Sequence, residues 1–369
     1  MSEPWSWADE LGPEQVAYLH DDAAELRAVV AIDNTAAGPA IGGVRMAPDV
    51  SAEEAFRLAR AMTLKNAAAG LRHGGAKAVI FGDPHWSDER KEPIVRAFAQ
   101  AMRDLRSYIP GPDMGTNERC MAWIRDEIGR AVGLPPEIGG VPLDEIGATG
   151  LGLAASAEVA TSYCDVSLDG ARVAIQGYGN VGRHAARFLE ERGAVVIAVS
   201  DSTGVAIDRS GLSLDTLDAL KHQGRSVSEY DGGKTEDGAA ILEVDCEIWI
   251  PAARPDVVTA ENVDRLSTRL VLQGANIPMT PEAEEQLHAR GVLVVPDFIA
   301  NAGGVICAAV EYAGGDEREA LATIDRKIRT NVEEVLAQAR SRGQTPRAAA
   351  LALAEERVRR ASGLRRWHR

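Results

Sequence analysis

Residues 172–193, RVAIQGYGNVGRHAARFLEERG, constrain this chain more than any other stretch. An apolar run with the look of a buried strand meets three glycines spaced Gly177-x-Gly179-x-x-Gly182, and a helical pattern follows at once. Glycines there permit a tight turn and a close approach of backbone to ligand, and the helix N-terminus holds a pyrophosphate. The spacing alone is weak, and an ordinary glycine turn between strand and helix would also explain it. The context strengthens it, because Asp201 ends the next apolar run about 24 residues after Gly177, where an acidic residue binds the adenine ribose hydroxyls. Asn180 and Val181 lie inside the same turn. No lysine or arginine follows Asp201 closely in the sequence, which favours NAD over NADP, although Ser200 and Ser202 can accommodate a phosphate.

From Val173 onward, short apolar runs (RVAIQG, VVIAVSD, CEIWIPAA, RLVLQGAN, VLVVPDF) alternate with helical segments. Alternation of that kind predicts a parallel sheet. The stretch beyond Gly304 reads as mostly helical, EYDGGKTEDGAA as an exposed loop, and GLRRWHR as a mobile tail. With 369 residues, 45% of them hydrophobic, the chain suits two domains. The formal charge of -15 argues against nucleic acid as a partner. Cys120, Cys164, Cys246 and Cys307 lie far apart without metal-ligand spacing, so they predict neither a metal site nor a disulfide framework. No run of about 18 apolar residues is present to span a membrane, and the N-terminus lacks signal-peptide patterning. The expectation is a soluble, cytoplasmic protein.

The N-terminal part opens with two apolar strands, QVAYLH and LRAVVAID. A helix is predicted over 51–70, with Ser51 and Glu54 as a capping box and Gly70 closing it. Further helices are predicted over 89–107, 116–131 and 148–163. Lys65 falls in line with Leu58 and Met62, beside the helix's apolar face, where it can simply snorkel to the rim. Lys77 follows Gly74 and Gly75 at the mouth of an apolar strand over 79–81. Two lysines partly buried together depress each other's pKa, which suits a general base or a carboxylate clamp. Asp113, in the turn IPGPDMGTN, reads by itself as a helix-capping residue.

Seven segments, GPAIGGVRM, AMTLKNAAAGLRHGGAKAVIFGDP, GPDMGTN, AIQGYGNVG, IPAA, GAN and PDFIANAGGV, occur in an order that resembles the glutamate/leucine/phenylalanine/valine dehydrogenases. The resemblance implies an α/β fold of two domains with a cleft between them: an N-terminal substrate domain with a mixed sheet and a Rossmann-type dinucleotide-binding domain. The expected boundaries are 1–147 for substrate binding and oligomerisation, 148–312 for NAD, and 313–369 for helices packing back on the first domain. By the same resemblance Lys77 and Asp113 are catalytic, and Lys65 holds the substrate α-carboxylate. Gly42 and Gly43 lie against the substrate. Asn276 and Asn301 stand near the nicotinamide ribose and substrate, and Thr149, Ala252 and Ala253 join the cofactor site. The implied reaction is reversible oxidative deamination. Asp113 relays the proton of the substrate amine, hydride leaves Cα, and Lys77 activates the water that attacks the imine. Ammonia and a 2-oxo acid leave, and domain closure excludes water from the hydride step.

Glutamate-specific members of that family carry a lysine at the position of Ile41 and a serine at that of Ala308. With Gly111 and Val305 matching the other pocket-lining positions, the resemblance implies an apolar side-chain pocket, although all four also read as plain core residues. The reading is therefore an NAD-dependent dehydrogenase of a branched-chain or aromatic L-amino acid, acting as a homo-oligomer. The alternatives are a glutamate dehydrogenase with an altered carboxylate site, with Arg45, Arg72 and His73 the first cations to examine, or a non-catalytic NAD-binding regulator on the same scaffold.

Overall fold

The computed structural model describes residues 4–231, 234–236 and 238–365. The chain forms two units, one of Met1–Leu143, Val305–Ala320 and Leu351–Arg369, the other of Asp144–Gly304 and Leu321–Ala350. The second unit thus opens at Asp144 and takes in 321–350 of the C-terminal stretch.

In the first unit the strands are β1 (Gln15–Asp21), β2 (Leu26–Asn34), β3 (Ala40–Ala47), β4 (Gly74–Phe81) and β5 (Tyr108–Pro112), in the order β1-β2-β4-β3-β5. β1 and β4 run antiparallel to β2, while β3 is parallel to β4 and β5. Two-residue alternation divides the side chains. Ala76, Ala78, Ile80, Val44 and Met46 enter a core with α2 (Asp88–Ala101) and α3 (Glu118–Ile128). Val29, Ala31 and Val79 face the other way and pack on Ala55 and Ala59 of α1 (Ala52–Ala68).

Two sequence expectations change here. The Ser51 side chain caps α1 by accepting from the Glu54 amide, but the Glu54 carboxylate reaches Arg45 at 2.6 Å rather than serving a capping box. β4 begins at Gly74, so Lys77 sits in mid-strand rather than at a strand mouth. The glycines explain the longer strand: a Cβ on Gly75 would stand 2.0 Å from the Thr63 backbone nitrogen of α1, and one on Gly74 1.7 Å from the Asn34 carbonyl. Helix and neighbouring strand approach so closely that only hydrogen fits.

The second unit opens with α4 (Ala148–Ala160), followed by β6 (Arg172–Gln176), α5 (Asn180–Glu190), β7 (Val195–Ser200), β8 (Val205–Ile207), α6 (Leu214–His222), β9 (Lys234–Glu236), β10 (Ile248–Pro251), β11 (Leu270–Leu272), α7 (Pro281–Ala289), β12 (Leu293–Val295) and α8 (Asp297–Ala300). Helices α9 (Gly303–Tyr312), α10 (Glu317–Arg342) and α11 (Pro346–Gly363) each contribute residues to both units. The sheet order is β12-β11-β10-β6-β7-β8-β9. Five strands are parallel as expected, whereas β8 and β9 are antiparallel additions. β9 lies inside the expected loop EYDGGKTEDGAA, and its Lys-Thr-Glu sequence gave no apolar alternation to reveal it. Of the expected tail, residues 366–369 lie outside the described residues.

Replacing Gly75 with alanine is expected to lower stability by about 1–3 kcal/mol, since a methyl group must push α1 off the sheet. Urea unfolding of both proteins checks this, and an unchanged midpoint would show that α1 does not rest on β4.

Candidate active site

Side chains of three adjacent strands share one face of the first sheet. β3 contributes Ile41, Gly43 and Arg45, β4 contributes Gly75, Lys77 and Val79, and β5 with its following turn contributes Ile109, Gly111 and Asp113. Register places Ile41 beside both Gly75 and Ile109, and Gly43 beside Gly111. The Lys77 ammonium meets Asp113 Oδ2 at 2.6 Å, with side-chain exposures of 7% and 22%. That bond crosses the place where Gly43 lacks a side chain: a Cβ there would lie 2.7 Å from Asp113 Cβ and 3.1 Å from Lys77 Nζ. The Tyr108 hydroxyl, buried, donates to the Gly42 carbonyl at 3.1 Å and steadies the same turn of β3.

Arg45 completes the cluster, with Nε on Asp113 Oδ2 at 3.0 Å and Nη1 on Glu54. Burial lowers the Lys77 pKa from the usual lysine range, Asp113 opposes this, and Arg45 adds to it. Arg45 is thus a cation that lowers it. Burial pushes the Asp113 carboxyl up, but Lys77 and Arg45 outweigh it and hold it below its ordinary value. Asp113 caps no helix. Asn117 caps α3, accepting from the Cys120 amide. Lys65 lies in the last turn of α1, half-buried.

Beside the charge cluster is an apolar one. Ile41, Ile109 and Val132 are buried together, and Ala308 and Ala309 of α9 pack against them. A Cβ on Gly111 would come 3.1 Å from Val132 Cγ2. Val305, one turn before Ala308 and Ala309 on α9, is half-buried. Glu311, a turn beyond Ala308, is buried and accepts the Leu134 and Val141 amides, fixing the loop that carries Val132. Burial lowers the His73 pKa, its Nδ1 lies 3.0 Å from the Pro39 carbonyl, and its ring packs edge-on to Tyr312. Arg72 is exposed. Ile109, Val132 and the bracing role of Arg45 escaped the sequence reading. The two-residue period running from Ile41 through Gly43 to Arg45 was the signal for the last.

In the second unit the order in which parallel strands are added reverses at β6, with β7 on one side and β10 on the other, and the gap between β6 and β10 is the switch point at which open α/β sheets bind ligands. Gly177 ends β6 at φ +95°, and Ala253, after β10, stands 2.9 Å from where its Cβ would be. The Ala252 amide donates to the Gln176 carbonyl at 2.7 Å. A Cβ on Gly182 would strike the Gly177 carbonyl at 2.0 Å, so the third glycine packs α5 on the turn. A Cβ on Gly179 would meet nothing within 4 Å. That open side faces the N-terminus of α5, where Asn180 and Val181 begin the helix, and no side chain caps it. Gln176 Oε1 is buried at the base of this turn without a hydrogen-bond partner. The cradle fits a dinucleotide pyrophosphate.

Tyr178, in the glycine turn, is buried and donates to Asp218 of α6, which also receives Arg187. Asn276 is exposed and accepts from the buried Asn301 at 3.0 Å. The Ile277 amide donates to Asp297, which is anchored by the Arg347 guanidinium at 2.9 Å. Thr149, in the first turn of α4, packs beside Gly303 and Gly304. Asp201 departs from expectation: its carboxylate is taken up by Lys221 at 2.9 Å, Ser226 at 2.8 Å and the Val227 and Thr203 amides. The absence of a nearby cation, on which the preference for NAD rested, holds along the sequence but not in space.

Among the described residues no cluster of His, Cys, Asp and Glu could hold a metal ion, and no helix is long and apolar enough to cross a membrane. The cysteines are unpaired, and burial pushes the Cys164 thiol up to about 11 and those of Cys246 and Cys307 to about 12, so none is poised as a nucleophile.

Comparison with known proteins agrees with this geometry. The family described as Glutamate/Leucine/Phenylalanine/Valine dehydrogenase matches residues 139–366, and the one described as Glu/Leu/Phe/Val dehydrogenase, dimerisation domain, matches residues 14–130. A glutamate dehydrogenase of Aeropyrum pernix is 38% identical over 357 residues, covering 90% of this chain and 85% of the relative. The hetero-hexameric glutamate dehydrogenase of Thermus thermophilus, in its leucine-bound form, superposes with a TM-score of 0.84 at 29% identity, covering 98% of this chain and 92% of the other. The L-tryptophan dehydrogenase of Nostoc punctiforme does so with a TM-score of 0.75 at 28% identity, covering 96% and 98%. The chain belongs to the glutamate/leucine/phenylalanine/valine dehydrogenase family, oxidoreductases that act on amino acids with a nicotinamide cofactor.

Proposed function

We propose that the protein catalyses the reversible oxidative deamination of an apolar L-amino acid, branched-chain or aromatic, to its 2-oxo acid and ammonia. The observation that carries the proposal is the cluster of Ile41, Ile109, Val132 and Ala308 next to the Lys77–Asp113 pair. Of the three cations named as candidates for a side-chain carboxylate, Arg45 is committed to Asp113 and Glu54, burial favours neutral His73, and Arg72 is exposed. A glutamate side chain placed among these apolar residues would leave its charge unpaired at a cost of several kcal/mol. A leucine gains about 0.8 kcal/mol for each methylene it buries. The tryptophan dehydrogenase among the structural relatives carries an aromatic substrate in its name.

In this reading Lys65 pairs with the substrate α-carboxylate, and Gly43 leaves room for Lys77 and Asp113 to meet, whereas the place of a side chain on Gly42 is taken by the Ala76 carbonyl at 1.6 Å and not by substrate as expected. Asp113 accepts the proton that leaves the substrate ammonium. A bound nicotinamide ring supplies the acceptor for the hydride from Cα. Neutral Lys77 then takes a proton from water as its oxygen adds to the imine carbon, and the carbinolamine expels ammonia to leave the 2-oxo acid. Gly177, Gly179 and Gly182 cradle the pyrophosphate with the amides of Asn180 and Val181. Ala252, Ala253, Asn276, Asn301 and Thr149 line the cofactor's path.

The pH dependence has a definite sign. Lys77 works as a base only when neutral, so kcat/KM for amino-acid oxidation is lost as pH falls through its pKa, which lies below the usual lysine value of 10.5. Arg45 helps to lower that pKa. Arg45→Gln is therefore expected to move the acid limb of the profile to higher pH. A limb that stays in place, or moves down, separates Arg45 from the titration of the base.

The protein is also proposed to be a homo-oligomer. Its N-terminal match is described as a dimerisation domain, and β1 is an edge strand with Tyr18 66% exposed. A monomer by light scattering at working concentration would contradict this. The substrate reading is checked by kcat/KM for leucine, valine, phenylalanine, alanine and glutamate. Leucine is expected to exceed alanine by roughly tenfold or more and glutamate by more. Ile41→Lys combined with Ala308→Ser is expected to raise glutamate and lower leucine. If glutamate is the better substrate of the unmodified protein, the apolar reading fails.

A further inference from the structure

The adenosine end of the dinucleotide site carries a second inference, which rests on the dinucleotide-binding reading above. A carboxylate has two oxygens and about four lone-pair sites. Asp201 fills them from within the protein. Oδ1 accepts the Thr203 amide at 3.0 Å and the Ser226 hydroxyl at 2.8 Å, and Oδ2 accepts the Lys221 ammonium and the Val227 amide, each at 2.9 Å. The Gly204 amide adds a longer contact to Oδ1 at 3.4 Å. The side chain is only 11% exposed. Burial raises its pKa, but Lys221 and the other donors prevail and bring it down to about 2, so it remains ionised and engaged across the working pH range. A ribose diol seeking this carboxylate would have to displace one of the donors.

The charge balance at the end of β7 changes as well. An unpaired aspartate there repels a 2′-phosphate, which is how this position ordinarily favours the unphosphorylated cofactor. Here the ammonium in contact with Asp201 cancels that charge. Lys221 carries three N–H donors, of which Asp201 takes one, and its side chain is 29% exposed. Ser202 and Thr203, both exposed, follow Asp201 directly. Helix α6 sets the position of this lysine. Its Asp218, three residues before Lys221 and so on the same side of the helix, is bonded to Tyr178 of the glycine turn. The helix that steadies the pyrophosphate turn therefore also holds the cation.

We propose that Lys221, braced by Asp201, is the residue that selects at the adenosine ribose, and that the protein takes NADP as readily as NAD.

The test is titration of the full-length protein with NAD+ and, separately, NADP+, followed by calorimetry without any amino acid present. The two dissociation constants of the unmodified protein are expected to lie within about tenfold of each other. Lys221→Gln, which keeps a hydrogen-bond donor and removes the charge, is expected to shift the affinity ratio by about tenfold or more toward NAD+, the worth of one charge-assisted hydrogen bond. Lys221→Arg, which keeps the charge, is expected to restore most of the ratio. Preference for NAD+ beyond about a hundredfold in the unmodified protein, or a ratio unmoved by Lys221→Gln, would overturn the inference while leaving the dehydrogenase reading intact. Binding of neither dinucleotide by protein that is folded by circular dichroism would overturn the inference together with the cradle assignment beneath it.

Discussion

Burying the Lys77 ammonium is the constraint around which the first unit is arranged. A buried ion costs several kcal/mol unless its partner and geometry are good. Asp113 supplies the partner, and Arg45 and Glu54 extend the pair to a group of four charges that sum to zero. The two basic side chains that converge on Asp113 Oδ2 come from adjacent strands, and Asp113 itself from the turn after a third, so sheet hydrogen bonding fixes their spacing. Gly43 is the consequence: the bond between Lys77 and Asp113 needs the volume a side chain would fill. The same close packing recurs behind Lys77, where Gly75 lets α1 rest on the strand. A lysine with a lowered pKa and a carboxylate held rigidly against it thus follow from one packing solution, without a separate device for each.

How much of this was legible in the sequence depends on whether a residue's partner is near it in the chain. The glycine turn at 177–182, the capping serine at 51 and the parallel core of the second sheet are local or periodic, and the sequence exposes them. Lys77 and Asp113 were visible through their motifs, but the strand around Lys77 was misjudged because Gly-Gly-Ala-Lys has little β propensity of its own. It is a strand because β2 and β3 flank it on either side. Partners far along the chain stayed hidden. Glu54 satisfies the spacing of a capping box, yet Arg45, nine residues earlier and on a neighbouring strand, is a stronger attractor for its carboxylate than a backbone amide. Lys221 follows Asp201 by 20 residues, a distance at which sequence inspection finds no neighbour but a helix returning over the sheet does.

The second unit shows how remote residues fix a binding surface that is itself mostly backbone. The glycine turn has no side chains with which to hold its own shape. Tyr178, its one large residue, buries its ring and bonds Asp218. On the other side of the switch point, Ile277 sits at φ +43°, an uncommon conformation for a β-branched residue. Its amide is held by Asp297, and Asp297 by Arg347 of α11, which also binds Gln273 and Glu284. A residue 70 positions downstream therefore secures the turn that presents Asn276. The arrangement is economical in a specific sense: one half-buried guanidinium ties together three acceptor side chains, Gln273, Glu284 and Asp297, that also bond one another or the turn.

Overall identity and side-chain specificity are different quantities in a family built this way. The 38% identity to a glutamate dehydrogenase is an average over 357 residues and gives no extra weight to the few positions that would face a substrate side chain. In the proposed reading, which side chain is accepted depends on a few positions lining one pocket, Ile41 and Ala308 among them. A single lysine at the place of Ile41 would outweigh every methylene contact in that pocket, because an unpaired carboxylate costs several kcal/mol and a methylene returns about 0.8. Polarity at two positions, Ile41 and Ala308, rather than resemblance over the whole chain, is the physical basis on which the proposed preference for an apolar amino acid rests.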